Sequence, residues 1–174
     1  MKLKILLFLF LIFSSFSSFS TTVRVIDIDL IINQNQSYKL FLEQIKNDQT
    51  EYKKTFEENE KKLQELLENL DELKLILDKS ELEKEIFNYN EKFNIFNQSV
   101  LNFNNHYEIQ IVEFENKILE KILEILKDYS IRNKIDLILT KNSYIISNNS
   151  INITKEILNE LNKFQFDISF EKYK

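Results

Sequence analysis

The sequence predicts a mostly α fold with a small β part, in which a long antiparallel coiled-coil hairpin rises from a small α/β oligomerisation base. An apolar seven-residue repeat runs through residues 37–130 and is broken once, near residues 78–80. Short β-branched segments stand on both sides of the repeat. Because a hairpin returns to its starting point, residues 21–36 and 131–174 are expected to meet in one base.

The first helix of the hairpin is predicted from apolar residues at alternating steps of four and three. Ten of the twelve positions are apolar, which is a heptad pattern held for more than five repeats. The positions are Tyr38, Leu42, Ile45, Gln49, Tyr52, Phe56, Asn59, Leu63, Leu66, Leu70, Leu73 and Leu77. Ser37 is expected to cap this helix.

The second helix repeats the pattern after a polar break. Ser80 and Glu83 have the spacing of a capping box, which predicts a helix start at the tip of the hairpin. The apolar positions are Leu82, Ile86, Tyr89, Phe93, Phe96, Val100, Phe103, Tyr107, Phe114, Ile118, Ile122, Ile125 and Tyr129. Two successive steps of four, from Phe114 to Ile122, predict a local change in the supercoil.

The flanking segments predict the base. Residues 22–28 are expected to form a strand, followed by a short apolar turn at residues 30–32. Residues 135–140 and 143–147 are expected to form a strand pair, and residues 154–164 a short helix. Residues 164–170 alternate apolar and polar side chains, so they predict either one more strand or a disordered tail.

The composition excludes several function classes. The 174 residues contain no glycine and no cysteine, which removes the glycine-rich phosphate loops and any thiolate nucleophile. His106 is the single histidine, and one histidine without cysteine does not make a common zinc site. We therefore expect a protein that is not an enzyme, with no catalytic or metal-binding residue and no cofactor.

The N-terminus has the pattern of a secretory signal. Lys2 and Lys4 precede an apolar run at residues 5–13, and a small-residue site ends at Ser20. The run is too short to span a bilayer, although an uncleaved signal anchor is the alternative. Removing two of the 23 basic residues leaves 21 against 28 acidic ones, a net charge of −7. Such an acidic chain is not expected to bind nucleic acid.

The order of these elements resembles the Skp/OmpH family of periplasmic chaperones. The resemblance is most specific at residues 135–139, 145–147 and 153–158, including the Ile153-Thr154 opening of the last helix. It implies a homotrimer with a shared barrel-like base, and three arms around a cavity. It further implies a periplasmic, ATP-independent holdase that binds unfolded outer-membrane β-barrel proteins. The alternative is an exported adaptor coiled coil that binds one folded partner.

Two sets of site residues follow as hypotheses. Client contact is predicted for apolar residues outside the seam: Leu67, Leu75, Phe87, Ile95, Leu101, Ile109 and Val112. The alternative is that these residues widen the hairpin core or are singly exposed. Oligomer contact is predicted for Val23, Val25, Ile135, Leu137, Leu139 and Ile145, with a self-contained monomeric base as the alternative. Residues 71–85 carry six acids against three lysines, which disfavours contact of the tip with anionic membrane lipid or lipopolysaccharide.

Overall fold

The computed structural model describes residues 21–168 and 170–174, so the predicted signal at residues 1–20 lies outside the described residues. Within these described residues, six main elements follow one another. They are strand β1 (Val23–Ile26), helix α1 (Ile28–Gln34), helix α2 (Gln36–Leu73), helix α3 (Lys79–Asn133), strand β2 (Leu137–Thr140) and helix α4 (Thr154–Leu161). The fold is the predicted one, with long helices and a small two-stranded sheet.

Helices α2 and α3, of 38 and 55 residues, form the antiparallel hairpin. All twelve predicted seam positions of the first helix are buried or half-buried, and the last of them, Leu77, lies in the turn after α2. Paired rings mark the antiparallel alignment, since Tyr38 stacks on Phe114 near the base and Phe56 meets Phe96 further along the arm. The apolar stripe of each helix is therefore mostly covered by the other, as a helix without its own core requires. Two predicted seam positions of α3 are wrong, because Ile86 and Phe93 are 38% and 42% exposed.

The helix ends differ from the prediction by a few residues. Asn35, not Ser37, caps α2, because its side chain accepts from the backbone N–H of Tyr38. Asp78 caps α3 by accepting from the N–H of Glu81, so the capping box at Ser80 does not form. A carboxylate or amide at the N-cap satisfies the same free N–H groups, and both residues stand two or more positions before the predicted cap.

The base contains an additional helix where an apolar turn was predicted. Residues 28–34 form α1, and Asp27 caps it by accepting from the N–H of Leu30. Its apolar residues Ile28, Ile31 and Ile32 follow helical spacing, and Ile31 is fully buried. The predicted turn at residues 30–32 is wrong, because burial of this apolar segment against α4 stabilises a helix.

Strands β1 and β2 pair in parallel, with Val23 opposite Leu137 and Ile26 opposite Thr140. The long hairpin is the crossover between them. The predicted strand at residues 143–147 is wrong, because residues 141–143 form a 3₁₀ turn and Ile145 and Ile146 are exposed. On its other side β1 meets residues 152–153, where the N–H of Ile153 donates to the carbonyl of Val25 over 3.0 Å.

The core of the base lies where α3 extends beyond its pairing with α2. Ile118 and Ile122 are fully buried there, as are Ile157 and Leu161 of α4. In this region the predicted apolar positions of α3 are separated by two successive steps of four residues, from Phe114 to Ile118 and from Ile118 to Ile122. The altered spacing turns the apolar face of α3 from α2 towards α1 and α4.

The described residues of the C-terminal segment do not form a strand. Those within residues 164–174, which we call the tail, run along the hairpin from the base towards the tip without regular secondary structure. Phe166, Phe170 and Tyr173 pack on the hairpin core. The described part of the tail is therefore ordered, and it lies on the arm and not in the base.

Candidate functional site

The outer face of α3 carries an apolar stripe. Five of the seven predicted client residues lie on this helix, and their side chains are between 49% and 70% exposed. They are Phe87, Ile95, Leu101, Ile109 and Val112. At about 100° per residue they fall within an arc of roughly 120°, on the side of α3 opposite the seam.

The remaining two predicted residues lie elsewhere. Leu67 is 40% exposed on α2, and Leu75 is 88% exposed in the turn between the two long helices. None of the seven widens the hairpin core. Five of them form one stripe on α3, and the other two lie separately towards the tip of the hairpin. Client contact remains a prediction for all seven.

Neutral amides fill the space between the apolar residues of the stripe. Asn94, Gln98, Asn102 and Asn105 are exposed on the same face, and the amide of Gln98 donates to Oδ1 of Asn102 over 2.9 Å. Residues 93–107 contain no Asp, Glu, Lys or Arg. We call the stripe and these amides together the outer face. Sequence reasoning missed the amides, although the uncharged run is visible in the sequence.

The chemistry of the outer face suits an unfolded chain. An exposed apolar side chain removes apolar surface of a client from water without requiring one sequence. An amide side chain both donates and accepts hydrogen bonds, so it can pair with either polar group of an extended backbone. The lack of Asp, Glu, Lys and Arg over residues 93–107 avoids the cost of desolvating an unpaired ion on contact with an apolar segment, whereas Glu108 and Glu113 border the stripe at Ile109 and Val112.

A hollow in the middle of the arm adjoins the outer face. It has a volume of about 380 Å³ and lies between α2 and α3. Its lining is mostly apolar and includes Leu63, Leu66, Ile95 and Phe96, with Lys62 and Lys92 at its edge. Ile95 thus belongs both to the stripe and to the hollow, and Ile109 and Val112 likewise line a hollow of about 360 Å³.

The predicted oligomer residues divide into three groups. Val25 is buried inside the protomer at 2% exposure, so its side chain supports the base from within. Val23, Ile135 and Leu139 are half-buried, whereas Leu137 is 47% exposed and Ile145 fully exposed. Within the described residues, β2 pairs only with β1 and leaves its other edge open. An apolar hollow of about 420 Å³ lies beside it.

Other kinds of site find no support in the part of the chain that the structure describes. No group of three or more potential metal ligands comes together there. His106 is half-buried and lies 2.8 Å from the carbonyl oxygen of Glu171 in the tail, which is a packing role. Among residues 21–168 and 170–174, no helix has the length and apolarity to cross a bilayer.

Comparison with known proteins agrees with this architecture. A family model described as outer membrane protein (OmpH-like) matches residues 22–161. The chain belongs to the OmpH-like family. The match covers both long helices, both strands and α4 of this OmpH-like chain, and it ends at the last residue of α4, before the tail.

Six chains of solved structures also match. One is the crystal structure of a candidate outer membrane chaperone (OmpH-like) from Caulobacter crescentus CB15. It is 13% identical, the match covers 85% of this chain and 90% of that chain, and the TM-score is 0.61. At this identity the likeness concerns the fold. No curated protein matches this OmpH-like chain.

Proposed function

We propose that this protein is an exported, ATP-independent holdase that binds unfolded outer-membrane β-barrel proteins and prevents their aggregation. Membership of the OmpH-like family supports a chaperone role. The observation that carries the finer proposal is the outer face of α3, with its exposed apolar stripe and uncharged amides. The absence of glycine from the sequence supports independence from nucleotide, because phosphate-binding loops need it.

The mechanism follows from what an unfolded barrel protein exposes. Its strands alternate apolar and polar side chains and carry unpaired backbone groups, so free chains associate edge to edge. A protein that binds this state lowers the concentration of free unfolded chain. The outer face offers apolar contacts together with donors and acceptors, and none of these contacts depends on one client sequence.

The periplasm as the place of action, and the homotrimer, are parts of the same proposal. The net charge of −7 for the chain without residues 1–20 favours solubility without favouring anionic surfaces. Leu137 and Ile145 are exposed, and the open edge of β2 lies beside an apolar hollow. Burying such a surface against other subunits would complete a base that is small for independent stability.

The proposal is tested by diluting a urea-unfolded β-barrel protein into buffer with residues 21–174 and following light scattering. A triple variant, Ile95→Lys, Leu101→Lys and Ile109→Lys, places three charges on the outer face. We expect the concentration needed for half suppression to rise about tenfold, equivalent to about 1.4 kcal/mol of binding free energy.

The matched control is Thr50→Lys, Thr55→Lys and Gln64→Lys, which adds the same charge at exposed positions of α2. This control should suppress aggregation as well as the original protein does. If the outer-face variant also retained full suppression, the outer face would not be the client site. If the unsubstituted protein bound one folded partner and left scattering unchanged, an adaptor role would replace the chaperone role.

A further inference from the structure

The tail is seated on a row of aromatic rings along the hairpin. Phe166, Phe170 and Tyr173 are its inward-facing aromatic residues. Their centroids lie 5.2–6.5 Å from those of the hairpin rings, which are the distances of favourable ring pairs. The hairpin rings are Phe41, Tyr52, Phe103, Tyr107 and Phe114. We call the surface that they form the tail groove.

The tail groove also holds the backbone of the tail. The side chain of Gln110 forms hydrogen bonds with both backbone polar groups of Glu171. Its Oε1 accepts from the backbone N–H at 2.9 Å, and its Nε2 donates to the backbone carbonyl oxygen at 3.1 Å. Asp48 accepts from the N–H of Tyr173 at 3.2 Å, and Tyr52 donates its hydroxyl proton to the carbonyl of Tyr173. These contacts are made to backbone groups and are independent of the side chains that the backbone carries.

The side chains of the tail alternate between the groove and solvent. Phe166, Ile168 and Phe170 pack on the hairpin, whereas Gln165 and Asp167 are exposed. An alternation of apolar and polar residues, with aromatic residues among the apolar ones, is the pattern of a transmembrane β-strand. The tail therefore resembles in its chemistry the clients that the proposed function assigns to this protein.

Electrostatic contacts fix the position of the tail near Tyr173. Lys172 places its Nζ 3.2 Å from Oε2 of Glu51 and 3.7 Å from Oδ1 of Asp48. Oδ1 of Asp48 is buried and accepts no hydrogen bond from any described residue. A cation in the tail therefore compensates a buried carboxylate of the groove, and a basic residue beside an aromatic one would do the same in another occupant.

We infer that the tail groove is a binding site for an extended, aromatic-alternating strand segment of an unfolded β-barrel protein, and that the tail occupies it as an internal ligand. This inference rests on the proposed function and adds a second client site to the outer face. An attached ligand acts at an effective concentration on the order of millimolar. A client segment must displace the tail, so the tail weakens capture at this groove.

The test locks the tail in place. Because the chain contains no cysteine, Glu51→Cys with Lys172→Cys can be bridged specifically by a short bis-methanethiosulfonate, which forms a disulfide with each cysteine by releasing methanesulfinate and is cleaved by reductant. We expect the bridged protein to bind urea-diluted barrel protein several-fold more weakly than the same protein after reduction. The control, Lys53→Cys with Glu57→Cys, bridges an exposed i,i+4 pair of α2 and should leave binding unchanged.

A second measurement addresses the groove directly. The variant Phe166→Ser, Phe170→Ser and Tyr173→Ser releases the tail in a full-length chain. A fluorescent peptide of residues 162–174 should bind this variant measurably and the unsubstituted protein far more weakly. The same peptide with the three serines should bind neither.

The outcomes separate the two proposals. Equal client binding by the bridged and reduced proteins, or no peptide binding to the folded serine variant, would overturn the groove and leave the chaperone role standing. Failure of the reduced and unsubstituted proteins to bind any barrel protein would overturn the chaperone role and, with it, the client assignment of the groove.

Discussion

The hydroxyl of Tyr107 donates a hydrogen bond to Oδ2 of Asp48 over 2.6 Å, across the interface between the two long helices. Both side chains are buried. Burial, reinforced by the neighbouring carboxylate, raises the pKa of Tyr107 far above its usual value, so the phenol remains a donor at any physiological pH. The pair is a polar contact within an apolar seam, and the tail covers it through Tyr173.

Tyr107→Phe should destabilise the protein by about 1–3 kcal/mol, because the buried carboxylate of Asp48 loses its closest donor. Urea denaturation followed by circular dichroism measures this change in the free energy of unfolding. Tyr89→Phe removes a hydroxyl that makes no hydrogen bond with the described residues, and it should change the value by less than about 0.5 kcal/mol. Equal effects of the two substitutions would contradict the assigned role of the Asp48 contact.

The ion pair between Asp27 and Lys141, at 2.8 Å, predicts a dependence of stability on pH. The hydrogen bond from Lys141, followed by the bond from the N–H of Leu30, holds the pKa of Asp27 below its usual value of 3.8. Because the folded pKa is the lower one, the stabilisation is complete well above pH 3.8 and is lost as the pH falls through the folded pKa.

Asp27→Asn tests this dependence while keeping an N-cap of similar strength. Urea denaturation at neutral pH should show the variant to be less stable than the original protein. The difference should shrink in a titration from pH 5 towards pH 2, where Asp27 becomes protonated. A difference that is constant across this range would assign the effect to the cap alone.

Two isoleucines on α3 allow a substitution in the core to be compared with one on the outer face. Ile122 is fully buried in the base, whereas Ile109 is 59% exposed. Ile122→Ala should cost about 2–5 kcal/mol of unfolding free energy because it leaves a cavity. Ile109→Ala should change stability by less than about 0.5 kcal/mol. A large loss for Ile109→Ala would place that residue in the core and remove it from the outer face.

Lys134 ends α3 in the left-handed conformation, with φ 52° and ψ 49°. The N–H of Ile135 then reaches the carbonyl of Ser130 over 3.0 Å, which closes the helix end in the usual way. In a chain without glycine a lysine occupies this position, at a steric cost of about 1 kcal/mol or more.

Lys134→Gly should therefore raise the melting temperature by a few degrees, whereas Lys127→Gly in the interior of the same helix should lower it. Differential scanning calorimetry measures both. A decrease for Lys134→Gly would mean that the lysine side chain contributes more than its backbone conformation costs.

If the exposed apolar residues of the base lie in the subunit interface, a charged side chain introduced there should weaken the oligomer. Ile145 is fully exposed in the protomer, so Ile145→Asp should not unfold it. If three subunits meet at this surface, the unpaired buried charge should dissociate the oligomer into folded monomers. Multi-angle light scattering and circular dichroism together detect this. Ser143→Asp, two residues away and also exposed, is the matched control.

The hairpin could be predicted because a heptad pattern depends only on positions along the chain. Leu63 and Leu70 are buried as their places in the repeat require. The segment around Ile145 and Ile146 could not be predicted in the same way, since β propensity favours a strand only where a partner strand is within reach. A single sequence does not state whether that partner exists.

The packing partners of the tail could not be predicted from the sequence either. The alternation at Phe166, Ile168 and Phe170 predicted one more strand or a disordered tail, and these residues instead pack on the hairpin core without forming a strand. The partners of the tail are side chains more than 50 residues away, such as Gln110 and Asp48. The amides of the outer face were overlooked because each asparagine is unremarkable alone, and only helix geometry places them on one side.

The central claim is that several folded hairpins on a shared base hold one unfolded barrel protein. Light scattering coupled to size-exclusion chromatography tests it most directly, with residues 21–174 measured alone and after addition of a urea-diluted barrel protein. We predict the mass of three subunits for the protein alone, and a discrete soluble complex of three subunits and one client. A monomer that leaves the barrel protein to precipitate would contradict the account.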